Sequence, residues 1–155
     1  MRCWRIYHRR FTDARSGEGA RRYGGRWNPK GVPALYLACS PALALAEKLV
    51  QAPSVQQSDD FLAAEFEIGA RHVPGIAVDQ LPTDWDAEPY TSASQDFGYR
   101  QFREHGRLGF RIPSVVVPIE YNAVIDPEHP HFSVQVRLIR EAIPFPFNKR
   151  LLRKR

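Results

Sequence analysis

The sequence predicts an α+β fold in a single compact domain, and three observations carry that expectation. The chain has 155 residues, 43% hydrophobic and 25% charged, which is the size and balance of one globular unit around one core. Strand-like runs outnumber helical stretches, of which there are two, at 41–51 and 91–105. Strands and helices also lack the regular alternation that builds a doubly wound parallel sheet.

Taken in order, Trp4 to His8 reads as an edge or initial strand. Residues 9–33 form a long polar loop rich in Gly and Arg, and a loop of that length inside a compact domain commonly carries function. Ala34 to Cys39 is a strand. Ser40 then caps a helix whose first position is Pro41, where a missing N–H costs nothing, and the helix continues to Gln51 until Pro53 forbids more. Phe61, Ala63, Glu65 and Glu67 alternate with Leu62, Ala64, Phe66 and Ile68, the pattern of a half-buried strand. Pro74, Gly75 and Pro82 limit residues 72–85 to short strands and turns. A second helix starts near Ser92 or Ser94 and stops at Gly106. Leu108–Ile112, Val115–Glu120 and Phe132–Ile139 are β-rich, with interruptions at Pro113 and Pro118.

Charge is unevenly spread. Residues 1–30 hold nine Lys/Arg against two Asp/Glu, and the tail 149–155 holds five basic residues and no acid, within a net charge of +5. The tail reads as a solvated terminus beside a main domain of residues 1–148. Arg21, Arg22 and Arg26 bracket Gly24 and Gly25, a cationic loop able to bring guanidinium groups and backbone amides to one anion, without Walker A or GxGxxG spacing. No segment approaches the ~18 apolar residues of a membrane span and the start has no apolar leader, so a soluble, cytoplasmic protein is expected. Cys3 and Cys39 form no CxxC pair and no zinc spacing, and read as packing residues in a reducing compartment.

Arg26, Tyr36 and Glu47 come in that order, far from any metal-ligand set, and suggest a site for a flat cationic ring joined to an anion. In the helix after Ser40, Leu43 and Val50 flank Glu47 on an apolar face. Two readings of Glu47 stand: its carboxylate reaches a basic or hydroxyl partner in a working site, or it pairs at the surface near Lys48. Taken singly, Tyr36 is a half-buried aromatic, Arg26 a surface cation, and Ser114 a small residue after Pro113.

Their order gives them meaning, because the chain resembles the RES-domain proteins, a family named for Arg, Glu and Ser positions. The resemblance is carried by Trp4-Arg5-Ile6, Gly24-Gly25-Arg26-Trp27-Asn28, Ala34-Leu35-Tyr36-Leu37-Ala38, Ala44-Leu45-Ala46-Glu47 and Arg111-Ile112-Pro113-Ser114, with Asn122 and Ile125 to Pro130 downstream. It implies a toxin of a bacterial type II toxin-antitoxin pair, with a split, strand-rich core similar to ADP-ribosyltransferase toxins. It further implies a cleft for NAD+ as substrate and no separate cofactor or metal, inorganic phosphate serving as co-substrate in some members. The implied partner is an Xre-like antitoxin that covers the active site in a hetero-oligomer and provides the only link to DNA.

The implied site is Arg26, Tyr36, Glu47 and Ser114, with Arg5 a further NAD+-binding member. Cleaving the nicotinamide–ribose bond builds cationic charge on the sugar, which Glu47 would stabilise, or Glu47 would hold a ribose hydroxyl. Tyr36 would stack on the pyridinium, Arg26 and Arg5 would fork onto pyrophosphate or phosphate, and Ser114 would orient the amide or a ribose hydroxyl. Three alternatives stand beside NAD+ degradation. One is an ADP-ribosyltransferase acting on a protein, which shares the first step. Another is a non-enzymatic nucleic-acid binder using the basic ends. A zinc hydrolase built on His129 and His131 is the third, though it lacks an HExxH or cysteine pair.

Overall fold

Period-two alternation along two strands, β1 (Arg2–His8) and β3 (Phe61–Ile68), builds the centre of a six-stranded antiparallel sheet. This computed structural model describes residues 1–11, 13–51 and 60–152. The other strands are β2 (Leu35–Ala38), β4 (Gly109–Pro113), β5 (Tyr121–Ile125) and β6 (Val136–Pro144). The helices are α1 (Glu18–Tyr23), α2 (Pro41–Gln51), α3 (Ser92–Arg103) and α4 (Phe132–Gln135). Strand order is β4-β5-β2-β1-β3-β6, and every neighbouring pair is antiparallel.

The sheet is divided. Seven residue pairs tie β1 to β3, from Arg2 opposite Glu67 to His8 opposite Phe61, whereas β1 and β2 share the single pair Trp4 and Ala38. A wedge of chain explains the opening. Arg5, the next residue of β1, donates from Nη1 to the carbonyls of Ala14 (2.7 Å) and Ser16 (2.8 Å). Gly17 in turn lies so close to β2 that a Cβ there would stand 2.9 Å from the Ala34 nitrogen. Residues 14–17 therefore bridge the diverging ends of β1 and β2. The result is two three-stranded halves, β4-β5-β2 and β1-β3-β6, which is the split core that the resemblance implies.

One face of the sheet carries a continuous core that includes Cys3, Tyr7, Leu35, Leu37, Phe66 and Ile125. The opposite face carries two separate clusters. Over the β4-β5-β2 half, α3 and Trp27 pack on Phe110, Ile112 and Val124. Over the β1-β3 half, α2 places Leu43 and Ala44 against Ile6, Ala38, Phe61 and Ala63. The seam between these clusters is where polar groups collect.

Several expectations are corrected. β1 is a central strand, because β2 and β3 flank it on both sides. The 9–33 segment is not all loop, since α1 lies within it. β3 is buried along nearly its whole length, not on one face, because α2 covers one side and the continuous core the other. Residues 115–120 turn instead of pairing. Pro118 offers no N–H, and Ser114 Oγ accepts the amides of Val116 and Val117 at 3.0 Å each, a side-chain substitute for a strand partner. The strand expected there begins at Tyr121. Residues 132–135 are helical before β6 begins at Val136. Pro53 lies outside the described residues, as do 153–155 of the basic tail, whose Lys149–Leu152 portion forms a 3-10 turn. Among the described residues no helix is long and apolar enough to cross a membrane.

Candidate active site

The site is built from α2 outward. Ser40 Oγ accepts the Leu43 amide at 3.1 Å, so the cap that the sequence predicts is formed. Two helical turns later Glu47 lies on the same side of the helix. Its Oε1 accepts the hydroxyl of Ser114 at 2.8 Å and the Nδ2 amide of Asn122 at 2.5 Å. Among the described residues no protein group donates to Oε2. Glu47 thus has a hydroxyl and an amide as partners instead of a surface cation.

Ser114 is fully buried at the end of β4. A hydroxyl has one proton and two lone pairs, and here the proton goes to Glu47 while the lone pairs take the Val116 and Val117 amides. Asn122 stands opposite Ala38 of β2 and Ile112 of β4, which aims it at the underside of α2.

Tyr36 precedes Ala38 by two residues and so shares its face, which leaves it a diagonal neighbour of Asn122 at roughly 7–8 Å. Its hydroxyl donates to Asn28 Oδ1 at 2.7 Å and accepts the Trp27 amide at 3.0 Å. Burial pushes the phenol well above its ordinary range and keeps it a neutral donor. Asn28, fully buried, passes its Nδ2 protons to the carbonyls of Ala20 (2.9 Å) and Val32 (2.8 Å). Gly25 closes this knot, because a Cβ there would lie 2.6 Å from the Tyr36 oxygen. Tyr36→Phe strips Asn28 and Trp27 of a buried partner and is expected to cost about 1–3 kcal/mol in urea unfolding. An unchanged midpoint would show that the hydroxyl is not part of the scaffold.

Arg26 sits beyond Tyr36. From Nη1 it donates to the carbonyls of Trp85 (2.9 Å) and Ala87 (2.7 Å), and from Nη2 to Glu88 Oε2 (3.1 Å). Its guanidinium also lies 5.8 Å from the centre of the Tyr90 ring. In the folded chain it fastens the 85–90 segment, while Trp85 stacks on Trp27 at 6.5 Å.

Arg5 alternates onto the opposite face of β1, with Cys3 and Tyr7, and is committed to the wedge. Its charge is still felt on the other face of the sheet: burial lowers the Lys48 ammonium's hold on its proton, and the charges of Arg5 and Arg10 lower it further. The structure therefore joins Glu47 and Ser114 directly, sets Tyr36 on the same face, and turns the guanidinium groups of Arg26 and Arg5 towards loop carbonyls.

Asn122 and Asn28 stand in the quoted motifs, but the sequence assigned neither a role. The available signal was parity: within Tyr121–Ile125, Asn122 is the polar residue that shares a face with Val124. Other candidates fall elsewhere. An open depression of about 380 Å³ beside α3 is lined by Leu81, Asp96, Phe97 and Arg100, and none of Arg26, Tyr36, Glu47 or Ser114 lines it. His129 and His131 meet edge to face at 5.3 Å, and His129 Nε2 lies 3.2 Å from the Gly106 carbonyl. Among the described residues no three His, Cys, Asp or Glu side chains group as metal ligands. The basic N-terminal stretch is partly neutralised by Arg2 with Glu65 (3.1 Å), Arg21 with Glu128 (3.5 Å) and Arg26 with Glu88 (3.1 Å). Cys3 and Cys39 are free thiols, and the neighbouring Cys39 thiol, together with burial, pushes the Cys3 thiol up.

The chain is similar to several known proteins. A protein named Toxin Res from Yersinia enterocolitica is 33% identical over 152 residues, covering 97% of this chain and 99% of that protein. The Prs ADP-ribosylating toxin of a Sphingobium strain is 35% identical over 162 residues, covering 97% and 96%. The NAD(+) phosphorylase MbcT of Mycobacterium tuberculosis is 42% identical over 84 residues, 52% of this chain and 44% of that one. In fold, the chain is similar to one in the crystal structure of the M. tuberculosis MbcT-MbcA toxin-antitoxin complex, with a TM-score of 0.72 at 24% identity over 92% of this chain and 84% of that one. The RES domain model matches residues 2–148, and the chain belongs to the RES domain family.

Proposed function

We propose that this chain is the toxin of a toxin-antitoxin pair and that it consumes NAD+ by breaking the bond between nicotinamide and ribose. The observation that carries the reading is Glu47, with Oε1 held by Ser114 and Asn122 and, among the described residues, no protein donor on Oε2. The toxin and NAD+ phosphorylase names of its relatives support it.

The chemistry follows from charge. When C1′–N1 breaks, the electron pair leaves with nicotinamide, which departs neutral, and positive charge develops on the ribose. A fixed carboxylate oxygen facing that sugar is worth more in the transition state than before it. An oxygen of inorganic phosphate then bonds C1′ to give a sugar phosphate, or water does so and releases a proton. NAD+ is the substrate, phosphate the co-substrate, and no further cofactor is required. Tyr36 presents its half-buried ring on the same face as Glu47, where a pyridinium stacks favourably. Arg26 supplies positive charge beside it, and Arg5 adds to the field from the opposite face of β1.

The partner is an Xre-like antitoxin that covers the seam in a cytoplasmic hetero-oligomer and carries the DNA-binding function. Purified protein incubated with NAD+ is expected to release nicotinamide, faster with phosphate if phosphate is the acceptor. Intact NAD+ at high protein concentration would sink the reading. A second reading, transfer of ADP-ribose to a protein, is favoured by the Sphingobium relative's name. It predicts a discrete labelled polypeptide in cell extract given labelled NAD+.

A further inference from the structure

We propose that Glu120 is a positioning residue, one that holds Glu47 in place through Ser40 and the turn of residues 114–120; the kinetic part of this inference rests on the function proposed above. The turn joins β4 to β5 and touches α2 at two points, two helical turns apart. At its start, Ser114 donates its hydroxyl proton to Glu47 Oε1 at 2.8 Å. At its end, Glu120 Oε2 accepts the hydroxyl proton of Ser40 at 2.6 Å, the same Ser40 whose oxygen caps α2 by accepting the Leu43 amide.

The turn is closed upon itself. The Ser114 amide donates to the Glu120 carbonyl at 2.8 Å and the Glu120 amide to the Val117 carbonyl at 2.9 Å. Next to this clasp, the Cys39 amide donates to the Tyr121 carbonyl at 3.0 Å. A short charge-assisted hydrogen bond from Ser40 orients its lone pair for the Leu43 amide, and the carboxylate's negative charge sits at the positive end of the α2 dipole. Helix and turn thus form one bracket. With the Glu120 contact gone, α2 keeps its apolar packing through Leu43 and Ala44 but loses the fastening that fixes its rotation and sets the height of Glu47 over Asn122. Glu120 touches none of the reacting atoms in this scheme.

The test compares wild type, Glu120→Ala and Glu120→Gln by steady-state NAD+ consumption and by NMR of the folded proteins. Glu120→Ala is expected to lower kcat about 10–100-fold with KM within about twofold, as a small displacement of a catalytic group does. Glu120→Gln retains an acceptor for Ser40 and is expected to recover most of that loss. In the spectra, Glu120→Ala is expected to shift the Asn122 side-chain amide signal and to speed hydrogen exchange at the Leu43 amide. Unchanged kcat in Glu120→Ala, or equal losses in both variants, would overturn the proposal. Should wild type leave NAD+ intact, the proposed function fails, and the spectra alone decide the positioning role: unmoved Asn122 and Leu43 signals overturn it. If Glu120→Ala does not fold, Glu120→Asp, which retracts the carboxylate from Ser40, is expected to give the same shifts, and their absence overturns the proposal.

Discussion

Glu47→Gln is expected to leave a folded protein that consumes NAD+ about 10²–10³-fold more slowly, the range lost when a single electrostatic stabiliser is removed. The glutamine keeps the volume and an acceptor oxygen for Ser114 and Asn122, both of which bond the same oxygen, Oε1. What it lacks is the carboxylate's negative charge, which in the proposed mechanism stabilises the developing cation. KM should change little, because ground-state NAD+ already carries its charge on the ring and not on the sugar. Circular dichroism and the urea midpoint would establish that the fold is retained. An unaltered rate in a folded Glu47→Gln protein would remove this carboxylate from the mechanism.

Gly98→Ala is expected to destabilise the protein by about 3 kcal/mol or more, at the upper end of overpacking, which corresponds to a melting temperature lower by about 6–12 °C. The sign is opposite to that of an ordinary helix, where replacing glycine by alanine gains up to about 1 kcal/mol. Gly98 is buried in α3, and a Cβ there would lie 1.9 Å from the Trp27 carbonyl oxygen and 2.7 Å from its carbon. Those are backbone atoms and cannot swing aside. The clash would lift α3 from the Trp27 segment, where Gln95 Nε2 also donates to the Gly25 carbonyl at 3.1 Å. Since that segment anchors the Tyr36 hydroxyl, the knot of Asn28, Trp27 and Tyr36 should loosen with it. A melting temperature equal to or above wild type would contradict this account of the contact.

Both predictions reach beyond what the sequence could specify. Along the chain, Gly98 is an unexplained weak point in a helix, and only the approach of Trp27 from 71 residues upstream makes it necessary. Glu47 was legible as an uncomfortable acid on an apolar helix face, but its two donors arrive from β4 and β5, 67 and 75 positions away. Arg26 illustrates the reverse case. Its motif was plain, yet its guanidinium turns to the carbonyls of Trp85 and Ala87, contacts that no local pattern encodes. Strand assignment failed at Val115–Glu120 for a related reason: β-branched residues there favour extension, but Pro118 and the Ser114 hydroxyl capture the backbone in a turn.

The sequence by itself determined the α+β class, the capped start of α2, the extent of β3 and the family to which the chain belongs. Each of these is written in short-range periodicity, in capping chemistry or in ordered motifs. Only the tertiary structure decided that β1 lies at the centre, that residues 14–17 wedge the sheet apart, and which donor serves which acceptor around Glu47. Hydrogen-bond partners are chosen by non-local strand pairing and by which surfaces can be buried together. Those choices depend on the whole folded chain, and no window of sequence contains them.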